Sequence, residues 1–139
     1  MKQLLNEILV KTFEQVSFWE PELLKSFEDT NFPENPKICQ ISCLSPIKLD
    51  FIFISSHETA QQLSDDINQN LFGAGEESID DCIKEVMNIL GGDFCIHQFP
   101  EDDFELTIPV ILDSYAYNGE SLMKYECDEG DFFFHFVVN

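Results

Sequence analysis

The 139-residue chain carries 27 acidic residues against seven lysines and no arginine, which gives it a formal net charge of −20. Nucleic acids and anionic membranes are bound through basic faces, and the lysines are spread along the whole sequence, so both partner classes are excluded. Hydrophobic residues make up 44% of the chain and include fourteen phenylalanines, enough to build one hydrophobic core. We therefore expect a single domain spanning residues 1–139.

Further classes of protein are excluded by what the sequence lacks. No Gly-rich loop is followed by Lys-Ser/Thr, so a nucleotide-binding kinase or ATPase is not indicated. The segment Met1–Glu7 becomes charged too early for a signal peptide, and no apolar run approaches the roughly 18 residues of a membrane span, so we expect a cytoplasmic protein. The cysteines lack the Cys-x-x-Cys spacing of a zinc or redox site and are interpreted as buried reduced thiols. They are Cys39, Cys43, Cys82, Cys95 and Cys127.

The first half of the chain predicts a helix, a hairpin and a second helix. Apolar residues recur at helical spacing over residues 3–17, and the prolines that follow mark an irregular connection with a possible helical turn over residues 22–27. Strands are predicted over Lys37–Leu44 and Lys48–Ser55, which are rich in Ile and Phe and form a hairpin. A helix over His57–Leu71 follows, capped by Ser55 or Ser56 and ended by Phe72-Gly73-Ala74-Gly75.

The next helix is predicted over residues 77–98, although two glycines lie within it. Gly91 and Gly92 would each cost about 1 kcal/mol inside a helix and would ordinarily indicate its end. The apolar residues nevertheless keep their helical rhythm through the glycines, and the first strong helix breaker is Pro100. Those residues are Ile79, Ile83, Val86, Met87, Leu90 and Phe94.

Three more strands are predicted after the acidic turn Glu101–Asp103, itself a solvated turn or a weak cation site. They cover Phe104–Leu112, Ser121–Cys127 and Asp131–Val138, with hairpin turns at Asn118-Gly119 and Glu129-Gly130. Because hairpins predominate, the fold class is α+β, with a largely antiparallel sheet packed against long helices. The run Phe132–Phe134, with Phe136, indicates either a buried strand or one that forms a dimer.

The helix over residues 77–98 carries the candidate site. A wheel of about 100° per residue puts Ile83, Val86 and their apolar partners on one side, and four residues on the opposite side. These four are Asp81, Glu85, Asn88 and Gly92. Residues three or four apart have Cβ atoms about 5–6 Å from each other, so a carboxylate and an amide could engage one partner group together.

Each of these residues also has an ordinary interpretation. Glu85 could be a surface carboxylate, and Asp81 could simply complement the helix dipole or could contact a partner. Asn88 is less ordinary, because asparagine is disfavoured within a helix by several tenths of a kcal/mol. With Gly91 and Gly92, the helix departs from local propensity three times in five residues, as happens where function overrides stability.

The pattern Asp81-x-x-x-Glu85-x-x-Asn88-x-x-x-Gly92, followed by Pro109, resembles the motif of the CheC/CheX phosphatase family of bacterial chemotaxis. The residues between Asn88 and Pro109 are slightly fewer than that motif has. The order of elements also resembles CheX over nearly the whole chain, and the single motif favours the CheX type over CheC, whose two halves each carry one.

The resemblance implies a phosphatase that acts on a phosphorylated CheY-like response regulator. Glu85 would then ion-pair with a lysine of the regulator, and Asn88 would position the attacking water. It also implies a homodimer, with Mg²⁺ on the regulator and no cofactor in this chain, while Asp81 and Gly92 would contact the partner. The alternatives are a module of the same fold that binds a regulator or flagellar-switch protein without catalysis, and a sensor with a small-ligand cavity between sheet and helices.

Overall fold

The computed structural model describes residues 1–27, 31–72, 77–117 and 121–139. These residues contain three α-helices, α1 (Lys2–Ser17), α2 (His57–Ile67) and α3 (Ile79–Gln98), with a π-helical turn, Asn68–Phe72, after α2. They also contain seven strands, β1 (Glu22–Leu23), β2 (Lys37–Ser45), β3 (Leu49–Ser55), β4 (Glu105–Leu106), β5 (Val110–Leu112), β6 (Leu122–Glu126) and β7 (Phe132–Val138). The predicted α+β class with an antiparallel sheet is confirmed.

All described strand pairs are antiparallel and belong to one sheet. The strand order is β1-β6-β7-β3-β2-β4, and β5 also pairs with β2, so β4 and β5 share one edge. The predicted hairpin is the β2–β3 pair, in which Lys37 lies opposite Ser55 and Cys43 opposite Leu49. Strand β7 pairs with β3 on one side and β6 on the other.

The phenylalanines of β7 fill the core on both faces of the sheet. Phe132, Phe134 and Phe136 lie on the helix side, whereas Phe133 lies on the opposite face, which is covered by loop residues. Of the two interpretations of this run, the buried strand is therefore correct, because both of its edges are already paired. Four of the five cysteines are also buried and none is bonded to another, while Cys127 is partly exposed.

Two predicted elements were wrong. Residues 22–27 do not form a helical turn: Glu22–Leu23 is a strand, and the amide of Leu24 donates to the Lys124 carbonyl. The reason is that a neighbouring sheet edge offers this short segment hydrogen-bond partners that a single helical turn would lack.

The predicted strand Phe104–Leu112 is two short strands, β4 and β5, rather than one. Pro109 lies between them and cannot donate to a ladder. Just before it, the Thr107 hydroxyl accepts the Ser42 amide in place of a backbone carbonyl. The register also shifts between Cys43 and Ser45 on the neighbouring strand β2, so one continuous ladder is not possible here.

Other boundaries differ only slightly from the predictions. The α-helical part of the second helix ends at Ile67 instead of Leu71 and continues as the π-helical turn. Its cap is Ser56, whose hydroxyl accepts the Thr59 amide at 3.1 Å. The predicted turn Asn118-Gly119 and the glycines of Phe72-Gly73-Ala74-Gly75 lie outside the described residues.

Candidate functional site

Helix α3 begins at a firm cap and is tied to the sheet at the same end. The Ser78 hydroxyl accepts the Asp81 amide at 3.1 Å, which satisfies one of the free N–H groups of the first turn. The Lys37 ammonium at the start of β2 lies 2.6 Å from an oxygen of Asp80. The N-terminal turn of the helix is therefore fixed in position relative to β2.

The two glycines of α3 lie in different surroundings. A Cβ built on Gly91 would lie 3.5 Å from Ile41 and 3.8 Å from Leu106, both of which belong to the sheet. The same atom built on Gly92 would meet nothing within 4 Å. Gly91 therefore faces the sheet at ordinary contact distance, whereas Gly92 faces open space and has no packing reason to lack a side chain.

The candidate residues lie on the exposed face of α3. Asp81, Glu85 and Asn88 are exposed, and Gly92 is partly exposed one turn beyond Asn88. Among the described residues, the side chains of Asp81, Glu85 and Asn88 make no hydrogen bond or ion pair. We call these four residues the α3 stripe; its carboxylates and amide are free to bind groups of another molecule.

One further residue continues the α3 stripe and was missed by sequence reasoning. Ile96 lies one turn beyond Gly92, and its side chain is 58% exposed. On the helical wheel it falls about 20° from Glu85, so its position could have been found from the sequence. The search for chemistry-bearing residues passed over it because isoleucine on a helix is ordinarily part of the core.

Burial keeps three of the described cysteines in the unreactive thiol form. Cys95 and Cys39 are fully buried, and burial raises the pKa of each to about 12. Burial also raises the pKa of Cys82. Since the thiolate is the nucleophilic form, these cysteines are inert at neutral pH. These three thiols therefore supply no nucleophile to the stripe, whose own polar groups are its carboxylates and its amide.

Pro109 of the resembled motif lies away from the stripe, and the histidines His135 and His97 have partners of their own. Pro109 is buried between β4 and β5. His135 is buried beside the Tyr115 hydroxyl, while His97 binds Asp93 within α3. In the described part of the chain, no three His, Cys, Asp or Glu residues are grouped so that they could hold a metal ion. Nor does that part contain a helix both long and apolar enough to cross a membrane.

Among the clefts that open at the surface of the described part of the chain are three with volumes of about 400 to 650 Å³. Their linings are dominated by carboxylate and amide side chains, and none of them includes Glu85 or Asn88. All three lie near helix ends and turns rather than between the sheet and the helices. No feature of them favours the small-ligand sensor.

Comparison of the whole structure with solved structures identifies its fold. A chemotaxis protein CheX from Desulfovibrio desulfuricans superposes with a TM-score of 0.75, and the match covers 99% of this chain and 97% of that one at 11% identity. The fold is CheX-like. CheX from Vibrio vulnificus gives a TM-score of 0.74 at 14% identity, covering 98% of this chain and 97% of that one.

A third match is CheX from Borrelia burgdorferi, in a structure of the CheX-CheY-BeF3-Mg²⁺ complex. Its TM-score is 0.66 at 14% identity, with 98% of this chain and 95% of that one covered. No family model matches the sequence, and no curated protein does. At these identities the likeness establishes the CheX-like fold, and the fold places the stripe on a long helix that packs against the sheet.

Proposed function

We propose that this CheX-like chain dephosphorylates a CheY-like response regulator by hydrolysing the acyl phosphate on its aspartate. The observation that carries the proposal is the α3 stripe. A carboxylate and an amide stand three residues apart with no partners among the described residues, and Gly92 beside them lacks a side chain without any packing reason. Such an unpaired and unshielded face suits close approach by a second protein.

Asn88 positions water in this proposal. Phosphoryl transfer needs mainly the alignment of nucleophile and leaving group together with stabilisation of charge. A neutral amide can hold a water in line by donating and accepting hydrogen bonds, and it needs no change of protonation to do so. The stripe contains no cation, so the Mg²⁺ and lysine that neutralise the phosphoryl group belong to the regulator.

Glu85 docks and orients the regulator. Its Cβ lies about 5–6 Å from that of Asn88, as expected for residues three apart on a helix. A regulator lysine that pairs with Glu85 would thus be held within reach of the water on Asn88. Asp81, one turn earlier, adds a second carboxylate to the same face. Support for the kind of partner comes from the Borrelia protein, which was crystallised with CheY, Mg²⁺ and beryllofluoride, a mimic of a phosphoryl group.

A phosphatase assay tests the proposal. A CheY-type regulator is charged with acetyl phosphate and Mg²⁺, and its phosphate loss is followed with and without this chain. Wild type should accelerate the loss, and Asn88→Ala should reduce the acceleration by about tenfold or more, equivalent to 1.4 kcal/mol of barrier. Equal rates for the two forms would contradict the proposal.

A second candidate is a binding module that docks the regulator without hydrolysis. It is favoured by the same free carboxylates, since docking needs only Glu85 and Asp81 and asks nothing of Asn88. Binding of the regulator that survives Asn88→Ala, with no turnover by either form, would select this candidate.

We also propose that the chain is a homodimer, and that the β4–β5 edge is where the copies meet. This edge exposes Ile108 and Val110, two large apolar residues. Open strand edges pair readily with another chain. Sedimentation at micromolar concentration should therefore give about twice the 16.0 kDa chain mass, and Ile108→Lys should shift it to the monomer. A wild-type monomer would contradict this assignment.

A further inference from the structure

Ile96 has no role in the core of this fold. The apolar residues on the core side of α3 are buried at 0 to 2% exposure, and Ile89 is partly buried against the same core. The fully buried ones are Ile83, Val86, Met87, Leu90 and Phe94. Ile96 is 58% exposed on the opposite side. An exposed isoleucine is common by itself, so its significance depends on its place in the stripe.

That place is the C-terminal end of the same face. Ile96 lies about 12 Å along the helix from Asn88 and about 22 Å from Asp81. Gly92 lies between Asn88 and Ile96 and presents no side chain. Residue 92 therefore places no side chain between Asn88 and Ile96 that would keep a partner surface away from the helix.

Two polar residues beside Ile96 on α3, Asp93 and His97, are paired within the described part of the chain. Asp93 lies 3.7 Å from the Lys11 ammonium and 3.1 Å from His97 Nδ1. The group available to a partner at this end of the stripe is therefore the apolar side chain of Ile96. At the other end, the available groups are the carboxylates of Asp81 and Glu85. The face is thus divided into an acidic end, a central amide and an apolar end.

From this division we propose that Ile96 is the apolar anchor through which the response regulator docks. The proposal rests on the proposed function and names the docking chemistry of its partner: a cationic spot opposite Glu85 and an apolar spot about 12 Å beyond the phosphorylated aspartate. Buried apolar anchors commonly carry much of an interface's affinity. Such a contact also suits a chain of charge −20, because apolar burial holds when salt screens the ion pairs.

The test is a titration of the full chain with a CheY-type regulator in its beryllofluoride–Mg²⁺ form, at low and at high salt. Ile96→Ala should weaken binding about tenfold at both salt concentrations, because it removes three carbons from the contact. Ile96→Leu should restore affinity to within about twofold of wild type. In the phosphatase assay, Ile96→Ala should raise KM about tenfold and leave kcat unchanged, since the residue acts in docking alone.

Phe18 provides a matched control. It is 71% exposed, follows a different helix, α1, and lines a cleft with Glu20 and Glu126. Phe18→Ala removes more exposed apolar surface than Ile96→Ala and should leave binding unchanged. An equal loss of affinity in both variants would overturn the proposal, because it would show a general effect of surface hydrophobicity.

The outcomes separate this proposal from the proposed function. If Asn88→Ala loses turnover while Ile96→Ala binds like wild type, the phosphatase stands and the anchor is overturned. If Ile96→Ala binds weakly and no form turns over, the anchor stands on a binding module and the phosphatase fails. If wild type does not bind the regulator, both are overturned.

Discussion

At the level of single residues, the two adjacent glycines of α3 lie in different surroundings. Gly91 faces the sheet, where Ile41 and Leu106 leave ordinary contact distance for a methyl group. Gly92 faces outward with open space around it. The sequence showed both as departures from helix propensity, but it could not separate the buried glycine from the surface glycine. That separation depends on which strand lies beneath the helix.

Substitution of Gly92 should separate stability from activity. Gly92→Ala should raise the free energy of unfolding by about 1 kcal/mol, because alanine favours the helix and its Cβ meets no neighbour. Gly92→Gln should keep most of this gain, yet its long side chain covers the surface next to Asn88 and should lower turnover about tenfold.

Denaturant unfolding and the phosphatase assay measure the two effects, with Gly92→Ala as the control for backbone changes. Wild-type turnover by a folded Gly92→Gln protein would show that no partner approaches the helix at this position.

At the level of elements, periodicity predicted α3 well. The helical spacing of the apolar residues was a better guide than the propensity cost of Gly91 and Gly92, and the helix runs unbroken over Ile79–Gln98. The short strands were harder to predict. Glu22–Leu23 is a strand because residues of β6, about a hundred positions later, lie beside it. A pattern of two residues gives no indication of a pairing partner so far away in the sequence.

The division between β4 and β5 has the same kind of cause. Pro109 marked a possible interruption, but the place of the break also depends on Thr107, whose hydroxyl replaces a backbone acceptor for Ser42. The exposed face of α3 could be predicted from residue spacing alone, because the helical wheel requires only that Ile83 and its apolar neighbours be buried. The roles of Glu85 and Asn88 came from family resemblance and stay predictions.

The cap of α3 should stabilise the fold without affecting activity. Ser78→Ala removes the acceptor of the Asp81 amide and should lower the free energy of unfolding by about 1 kcal/mol. Turnover below the melting transition should not change, since Glu85 and Asn88 lie about two and three turns away. Denaturant unfolding measures the loss, and Ser78→Asp, which retains a cap acceptor, should restore stability. If Ser78→Ala unfolds like wild type, the cap contributes nothing.

At the level of the whole molecule, the charge of −20 affects encounter more than chemistry. Repulsion between two acidic proteins slows their diffusion together, and salt weakens that repulsion. The ion pair expected at Glu85 is a local attraction that salt also weakens. For a regulator of net negative charge, the long-range repulsion therefore governs the association rate, and the local pair governs dissociation.

Stopped-flow association at increasing salt measures this balance. For an acidic regulator the association rate constant should rise with salt, while dissociation becomes faster as the Glu85 pair is screened. Glu85→Gln should keep the rise in association and lose most of the salt effect on dissociation. An association rate that falls with salt would mean that attraction, not repulsion, dominates the encounter.

Steady-state turnover over a range of regulator concentrations, with affinity for the beryllofluoride form measured in parallel, tests the role of Asn88 most directly. Asn88→Ala should lower kcat about tenfold or more while its affinity stays within about twofold of wild type, because the amide positions water and does not dock the regulator. Gln61→Ala, which removes an exposed amide from α2, should change neither quantity. Wild-type kcat in Asn88→Ala would contradict the assignment of water positioning to the α3 stripe.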